Sequence, residues 1–101
     1  MITILARFKM QPDKEDEALA AVRKMAEAVE ANEPGALVYV MHRCVAQPSE
    51  IIVFEVYKDE PAFEAHRRTP HIEELTARFS HLMDPASFKV ERLNRIAGFV
   101  R

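Results

Sequence analysis

The sequence predicts an α+β fold in which a four-stranded antiparallel sheet carries helices on one face. The first observation is the element order. Segments rich in β-branched and apolar residues alternate with segments whose apolar residues recur every three or four positions, in the order β-α-β-β-α-β. The second is size, since 101 residues, 49% of them hydrophobic, suit one ordered domain over residues 1–101.

The first strand and helix are separated by a short polar segment. Residues 2–9 are apolar and β-branched over the length of a strand. Gln11-Pro12-Asp13 ends that strand and opens a helix, because proline is tolerated in a first helical turn and acidic residues favour it. The helix should cover about residues 13–31, and its apolar stripe is Leu19, Val22, Met25, Ala26 and Val29.

The middle of the chain reads as a β-hairpin. The turn residues Asn32-Glu33-Pro34-Gly35 end the helix. Residues 36–45 and 51–57 are then two strands joined by a turn at residues 47–50.

Two helical segments and one strand complete the pattern. Asp59 can cap a short helix that runs to about Arg68. Thr69-Pro70 restarts a helix that continues to about Leu82, and residues 86–95 form the last strand. The resulting order is the ferredoxin-like arrangement.

The strand at residues 36–45 is apolar on both faces, and this predicts a homodimer. Its alternating sets are Leu37, Tyr39 and Met41 on one side, and Val38, Val40 and His42 on the other. Helices can cover only one face, so a second copy should cover the other. The apolar tail at residues 96–100 would also gain from being covered.

Composition excludes several classes of function. The net charge is −2 and no basic stripe is present, so we expect no nucleic-acid partner. Apolar runs are far shorter than the ~20 residues of a spanning helix, and we expect no membrane segment or secretory signal. The single cysteine, Cys44, cannot form an internal disulfide and is interpreted as buried packing, and a cytoplasmic location is expected. The roles of His42 and Arg43 stay open.

The candidate catalytic residues are His66 and Glu55. Glu55 lies on an apolar strand, and His66 follows Phe63 by three positions on the inward side of the next helix. A carboxylate and an imidazole beside an apolar pocket can move a proton near neutral pH. The alternative is structural: Glu55 would hydrogen-bond a core histidine and hold the helix on the sheet. For Glu55 this structural role is favoured, and for His66 both interpretations stand.

Other residues are candidates for substrate binding. His71 opens the last helix and could reach the pocket or cap the backbone. For Asn32 a cap at the end of its helix is favoured, and only the family resemblance described below implies that it binds a substrate carbonyl or a bound oxygen species. Tyr39 and Tyr57 could line an aromatic pocket or serve as packing. The apolar lining would be Phe63, Leu75 and Phe79.

No metal is expected. His66 and His71 are five residues apart across a helix break, which does not align two imidazoles on one helix face. No cysteine or carboxylate cluster in the sequence completes a coordination shell. The chain has two glycines and no glycine-rich phosphate loop, which argues against a Rossmann-type flavin or nicotinamide cofactor.

Three segments together resemble the antibiotic biosynthesis monooxygenase family. They are residues 32–39, 54–57 and 62–71, and the similarity extends over essentially the whole chain. The resemblance implies a dimeric α+β barrel with a small apolar pocket between each sheet and its helices. Members include oxygenases of phenols and quinols that need no cofactor, haem-degrading enzymes and isomerases of small phosphorylated autoinducers.

Departures from the family pattern narrow the expected chemistry. Several aromatic oxygenases of the family use a tryptophan near the position of Tyr57, and this chain has no tryptophan. The haem-degrading members place an axial histidine where this chain has Leu75-Thr76-Ala77, and a tryptophan where His66 stands. The pattern of His66 and His71 is most similar to the quinol-monooxygenase and autoinducer-isomerase members.

The leading functional hypothesis is a cofactor-independent monooxygenase that acts on a quinol or phenol with dioxygen. His66, steadied by Glu55, would remove the phenolic proton. The same pair could serve an isomerase or tautomerase of a small polar metabolite, which would not need oxygen. A third hypothesis is a non-catalytic dimeric module that binds a small apolar ligand.

Overall fold

The structure is a computed structural model that describes all 101 residues. Four strands and three helices follow one another along the chain. Their bounds are β1 Ile2–Met10, α1 Glu15–Asn32, β2 Ala36–Arg43, β3 Glu50–Tyr57, α2 Glu60–His66, α3 Pro70–Leu82 and β4 Met83–Leu93. The predicted fold class is confirmed, with the two helical segments after β3 resolved as α2 and α3.

The sheet is antiparallel throughout, in the order β2-β3-β1-β4. The predicted hairpin is β2 paired with β3, and Tyr39 lies opposite Glu55. Glu55 in turn pairs with Ile4 of β1. Glu55 therefore lies on a central strand, with its side chain on the same face as those of Tyr39 and Tyr57.

The core lies between α1 and one face of the sheet. Alternate residues of β1 and β3 are buried there because side chains on a strand alternate between its two faces. The sheet side of this core comprises Ile4, Ala6, Phe8, Met10, Ile51 and Val53. The helix side is the stripe Ala18, Ala21, Val22, Met25 and Val29.

Three predicted strand boundaries are off by two or three residues, and one of them is the end of β4, at Leu93 rather than residue 95. β4 begins at Met83 rather than residue 86, because Met83 and Asp84 already pair with Met10 and Lys9 before the register shifts. Pro85 is accommodated because β4 is an edge strand. β2 ends at Arg43, so Cys44 falls in the connection and is half-buried rather than part of the core.

The other face of the sheet carries no helix. The register places apolar side chains of three strands on this open face: Leu5, Val38, Val40, Ile52 and Phe54. Val40 is 45% exposed, and the tail beyond β4 exposes 79% of Phe99. The predicted homodimer would cover this face, and the single chain leaves it open.

No helix in the structure has the length and apolar character that a membrane crossing requires.

Candidate acid–base site

Three ionisable side chains meet where the ends of the helices converge. Glu33 follows α1, His66 is the last residue of α2, and His71 is the second residue of α3. Nδ1 of His66 lies 2.8 Å from Oε1 and 3.0 Å from Oε2 of Glu33. Nε2 of His71 lies 2.5 Å from Oε2 of the same carboxylate. Glu33 therefore binds both histidines, although it is distant from them in sequence.

Local capping places the two histidines. The carboxylate of Asp59 accepts a hydrogen bond from the backbone N–H of Ala62 and fixes the start of α2. Thr69 bridges α2 and α3, because its hydroxyl donates to the carbonyl of His66 and accepts from the N–H of Ile72. Pro70 then starts α3 at a position that tolerates proline. The break between the helices allows histidines five residues apart to face one carboxylate.

The hydrogen bonds define a proton assignment for the site. With Glu33 ionised, His66 donates from Nδ1–H and His71 donates from Nε2–H. Neutral His66 then has a free lone pair at Nε2. That nitrogen lies 3.9 Å from Oε1 of Glu55, which is beyond hydrogen-bonding distance. The hydrogen bond expected between His66 and Glu55 is therefore absent, and Glu33 is the hydrogen-bonding partner of His66.

The partner of Glu55 is Tyr57. The phenol of Tyr57 donates to Oε1 of Glu55 at 2.6 Å, and both side chains are buried. Burial raises the pKa of Glu55 to about 7, with the negative charge of Glu33 adding to it and the hydrogen bond from Tyr57 opposing it. Glu55 can therefore change its protonation state near neutral pH.

His66 is held as a neutral imidazole. Burial lowers the pKa of His66, while the charge and hydrogen bond of Glu33 act in the opposite direction. Its side chain is only 6% exposed. A neutral histidine with one nitrogen fixed by a carboxylate and the other carrying a lone pair is the form that accepts a proton.

The tyrosines surround the imidazole. The ring centroids of Tyr39 and Tyr57 lie 5.5 and 5.2 Å from that of His66. Burial, followed by the charge of Glu55, raises the pKa of both phenols above the ordinary value. Both phenols therefore stay neutral, and Tyr57 acts as a hydrogen-bond donor to Glu55. Both tyrosines lie beside His66, and their role in substrate binding stays a prediction.

Asn32 lies outside this cluster. Its side-chain amide is exposed and donates to the carbonyl of Ala28 in its own helix, so it caps the end of α1. The next residue, Glu33, occupies the site instead and was missed. The sequence carried a signal for it: no basic residue lies in the last turn of α1, where an acidic residue is unfavourable next to the helix dipole. Such a glutamate requires a compensating partner, and the two histidines provide it.

The expected apolar lining is not gathered around one cavity. Phe63 packs on Tyr57 at a centroid distance of 5.3 Å, while Phe79 contacts Phe8 and lies with the main core. Leu75 lines a cleft between α1 and α3 that also touches His71 but is not lined by His66. This cleft holds about 30 Å³ of water-accessible space, which admits a water molecule or an ion but not an aromatic ring.

A carboxylate does lie beside the two histidines. The sequence showed no cysteine or carboxylate cluster that would complete a coordination shell with His66 and His71, whereas the fold brings Glu33 to both of them. One ligand atom from each of the three residues lies within 4.8 Å of the others. The helix break, which seemed to separate the two imidazoles, is what turns them towards the same group.

Comparison with known families identifies the architecture. Residues 1–78 match the family model described as antibiotic biosynthesis monooxygenase. The chain belongs to this family. All of the clustered residues, from Glu33 to His71, lie inside the matched region.

Individual relatives agree with this assignment. The chain is 28% identical over 83 residues to the "Putative monooxygenase YcnE" of Bacillus subtilis, covering 82% of this chain and 86% of that protein. An uncharacterized protein of Synechocystis is 26% identical over 91% of this chain, and the chain spans only 63% of that relative's length.

Solved structures in the family share the fold. The crystal structure of a putative antibiotic biosynthesis monooxygenase from Caulobacter crescentus has a TM-score of 0.87 and 29% identity, covering 95% of this chain and 90% of that one. The crystal structure of a putative antibiotic biosynthesis monooxygenase from Bacteroides thetaiotaomicron also has a TM-score of 0.87, at 21% identity, and covers 99% of this chain and 93% of that one. At the lower identity the similarity concerns the fold alone.

Proposed function

We propose that this protein is a cofactor-independent monooxygenase that oxidises a small hydroxylated aromatic, such as a quinol. The observation that carries the proposal is the buried dyad in which Glu33 binds Nδ1 of His66. Family membership and the monooxygenase name of the Bacillus subtilis relative support the reaction class. The dyad supports the substrate class, because a base is what a phenol needs in order to react with dioxygen.

The proposed role of His66 is to take the phenolic proton at Nε2. A phenolate gives up an electron to dioxygen far more readily than a phenol does. Glu33 would stabilise the imidazolium formed in this step and hold its tautomer, as carboxylates do for catalytic histidines elsewhere. One oxygen atom then enters the substrate, and the other leaves as water with two electrons and two protons that the substrate itself supplies.

The substrate would need additional space beside His66. The cleft between α1 and α3 is too small for an aromatic ring and is not lined by His66, so we expect binding to displace Phe63 or Tyr39, which lie close to Tyr57 and His66. The tyrosines and Phe63 provide aromatic surfaces against which a substrate ring could stack. Glu55, with its pKa near neutrality, could exchange the proton that His66 receives.

The test is oxygen consumption with a panel of hydroquinones and naphthohydroquinones, corrected for autoxidation without protein. We expect uptake proportional to protein concentration, and loss of that uptake in His66→Asn, which keeps a hydrogen-bond donor for Glu33 but cannot accept the proton. His81→Asn, at an exposed position, is the matched control. Uptake with no member of the panel, or full activity of folded His66→Asn, would contradict the proposal.

The same experiment separates the alternative functions. An isomerase or tautomerase would convert its substrate equally well under argon, which proton NMR can follow. A non-catalytic binding module would show ligand-induced stabilisation without turnover, and His66→Asn would then change stability alone.

We also propose that two copies pair through the open face of the sheet. Leu5, Val40 and Phe54 lie on this face, and no helix covers them. A second copy could supply the apolar cover.

A further inference from the structure

One carboxylate and two imidazoles converge in the part of the structure where α1, α2 and α3 meet. Glu33, His66 and His71 offer one oxygen and two nitrogen atoms, all within 4.8 Å of one another. Their side chains are 8%, 6% and 14% exposed. Glu33 follows α1, His66 ends α2 and His71 lies in α3, so the cluster is a product of the tertiary fold and not of a local motif.

We propose that Glu33, His66 and His71 form a binding site for one divalent d-block cation, with Zn²⁺ or Co²⁺ as representative ions. Two imidazole nitrogens and one carboxylate oxygen are a donor set that such ions prefer, whereas Mg²⁺ and Ca²⁺ prefer oxygen alone. Three protein ligands would leave at least one coordination position for water or a ligand.

The geometry needs only a small adjustment to accept an ion. The contacts of 2.5 and 2.8 Å from Glu33 to the two histidines are hydrogen bonds, in which bridging protons occupy the space between the groups. Metal–ligand distances are about 2.0–2.2 Å for nitrogen and carboxylate oxygen, so an ion could replace those protons with movements of less than about an ångström. Thr69 fixes the junction of the two helices that carry the histidines.

An entry route is present on one side of the cluster. His71 lines the cleft between α1 and α3, and the water-accessible space in that cleft is about 30 Å³. This volume admits one or two water molecules or an ion that has lost most of its hydration shell, although it excludes an aromatic substrate. Glu74 also lines the cleft, but its carboxylate is paired with Nζ of Lys24 at 3.0 Å and Arg78 lies beside it, so the three ligands and not the charge of the cleft would hold the ion.

Metal binding would change which atom of His66 carries the proton. Ligation through Nδ1 requires that nitrogen to give up its proton, and a neutral imidazole then carries a proton on Nε2. Nε2 would thereby change from an acceptor to a donor, facing Glu55 at 3.9 Å. This consequence rests on the proposed function: the ion would inhibit an oxygenase that uses Nε2 as its base.

The test uses tag-free protein freed of metal with a chelator. Co²⁺ is titrated by visible absorption, Zn²⁺ by calorimetry, and the histidine ring nitrogens are followed by two-dimensional ¹H–¹⁵N NMR with and without Zn²⁺. We expect one equivalent to bind. With Zn²⁺ the ring-nitrogen signals of His66 should become those of the Nε2–H tautomer. The ring-nitrogen signals of the exposed His42 and His81 should not change.

Matched variants distinguish this site from surface binding. Glu33→Gln and His71→Gln should each weaken Zn²⁺ binding by about tenfold or more, equivalent to about 1.4 kcal/mol. A His42→Gln/His81→Gln double variant removes the exposed histidines and should bind as the parent does. Circular dichroism identifies any variant that fails to fold. In that case the NMR experiment on the parent protein shows whether His66 binds the ion.

Two results would overturn the inference: no stoichiometric binding of Co²⁺ or Zn²⁺, or binding that disappears in the double variant. The readouts are independent of turnover, so they stand whether or not any quinol is oxidised. If quinol oxidation is found, one equivalent of Zn²⁺ should abolish it, and a chelator should restore it.

Discussion

Oε1 of Glu33 lies 2.8 Å from Nδ1 of His66, across 33 positions of sequence. This pairing leaves Nε2 as the basic atom of a buried, neutral imidazole. It also assigns the orienting role to a residue at the end of α1 and not to Glu55 on the sheet. Glu55 is instead bound by Tyr57 and forms a second ionisable group on the opposite side of the ring.

Replacing Glu33 tests the orienting role directly. Glu33→Gln should lower the rate of quinol oxidation by about 10²–10⁴-fold, because a carboxamide neither stabilises the imidazolium nor enforces one tautomer. The rate of oxygen consumption is the measurement. Glu30→Gln, on an exposed residue near the same end of α1, is the control and should keep the parent rate. Equal rates for the two variants would rule out an orienting role for Glu33.

Glu55 should make folding stability depend on pH. Its pKa is raised from 4.5 to about 7, so the folded state binds more protons than the unfolded state between these values, and stability falls as pH rises through this window. The lowered pKa of His66 acts oppositely, costing stability as pH falls below 6.5. The measured slope in the parent protein is therefore the sum of both groups.

The variant Glu55→Gln isolates the first contribution. The parent loses the stability contributed by protonated Glu55 as the pH rises from 4 to 8, and the variant does not. The free energy of unfolding of the variant minus that of the parent should therefore increase by on the order of 3 kcal/mol over this range, at 1.36 kcal/mol per pKa unit. Urea denaturation at several pH values measures this difference. Glu50→Gln, on the same strand, should follow the pH dependence of the parent. A Glu55→Gln curve parallel to that of the parent would contradict the assignment.

Gly35 should be required for the close packing of α2 against the loop between α1 and β2. A Cβ atom added at Gly35 would lie 2.6 Å from Cβ of Ala62, which is closer than real Cβ contacts allow. Gly35→Ala should therefore destabilise the protein by about 1–3 kcal/mol and displace the helix that carries His66. The double variant Gly35→Ala/Ala62→Gly removes the clash and should recover part of the loss in thermal denaturation. No recovery would show that the contact is not the cause.

The open sheet face should govern the oligomeric state. A lysine at Val40 would place a charge in the centre of the proposed contact, so Val40→Lys should shift the protein from dimer to monomer. Sedimentation velocity at several concentrations measures the shift. Val45→Lys, at an apolar residue that is 97% exposed beyond β2, should leave the dimer intact. A parent protein that is monomeric at all concentrations would contradict the pairing.

The element order and the inward position of His66 follow from sequence patterns. Helical periodicity and the apolar, β-branched strand segments predicted the order β-α-β-β-α-β. Asp59 and Thr69, which were placed at the starts of the two later helices, cap those helices in the structure. His66 was predicted to face inwards from its spacing with Phe63, and it does. These features are local, so a single sequence can report them.

The identity of the partner of His66 could be decided only by tertiary structure. Both Glu55 and Glu33 were available along the chain, and which carboxylate reaches Nδ1 depends on how α1 ends against the junction of α2 and α3. The same junction turns His71 towards Glu33 despite its unhelpful spacing from His66. Sequence by itself determined the types of ionisable group and the elements that carry them. Contacts between residues far apart in the chain depend on packing, and only the folded chain decided which groups share protons.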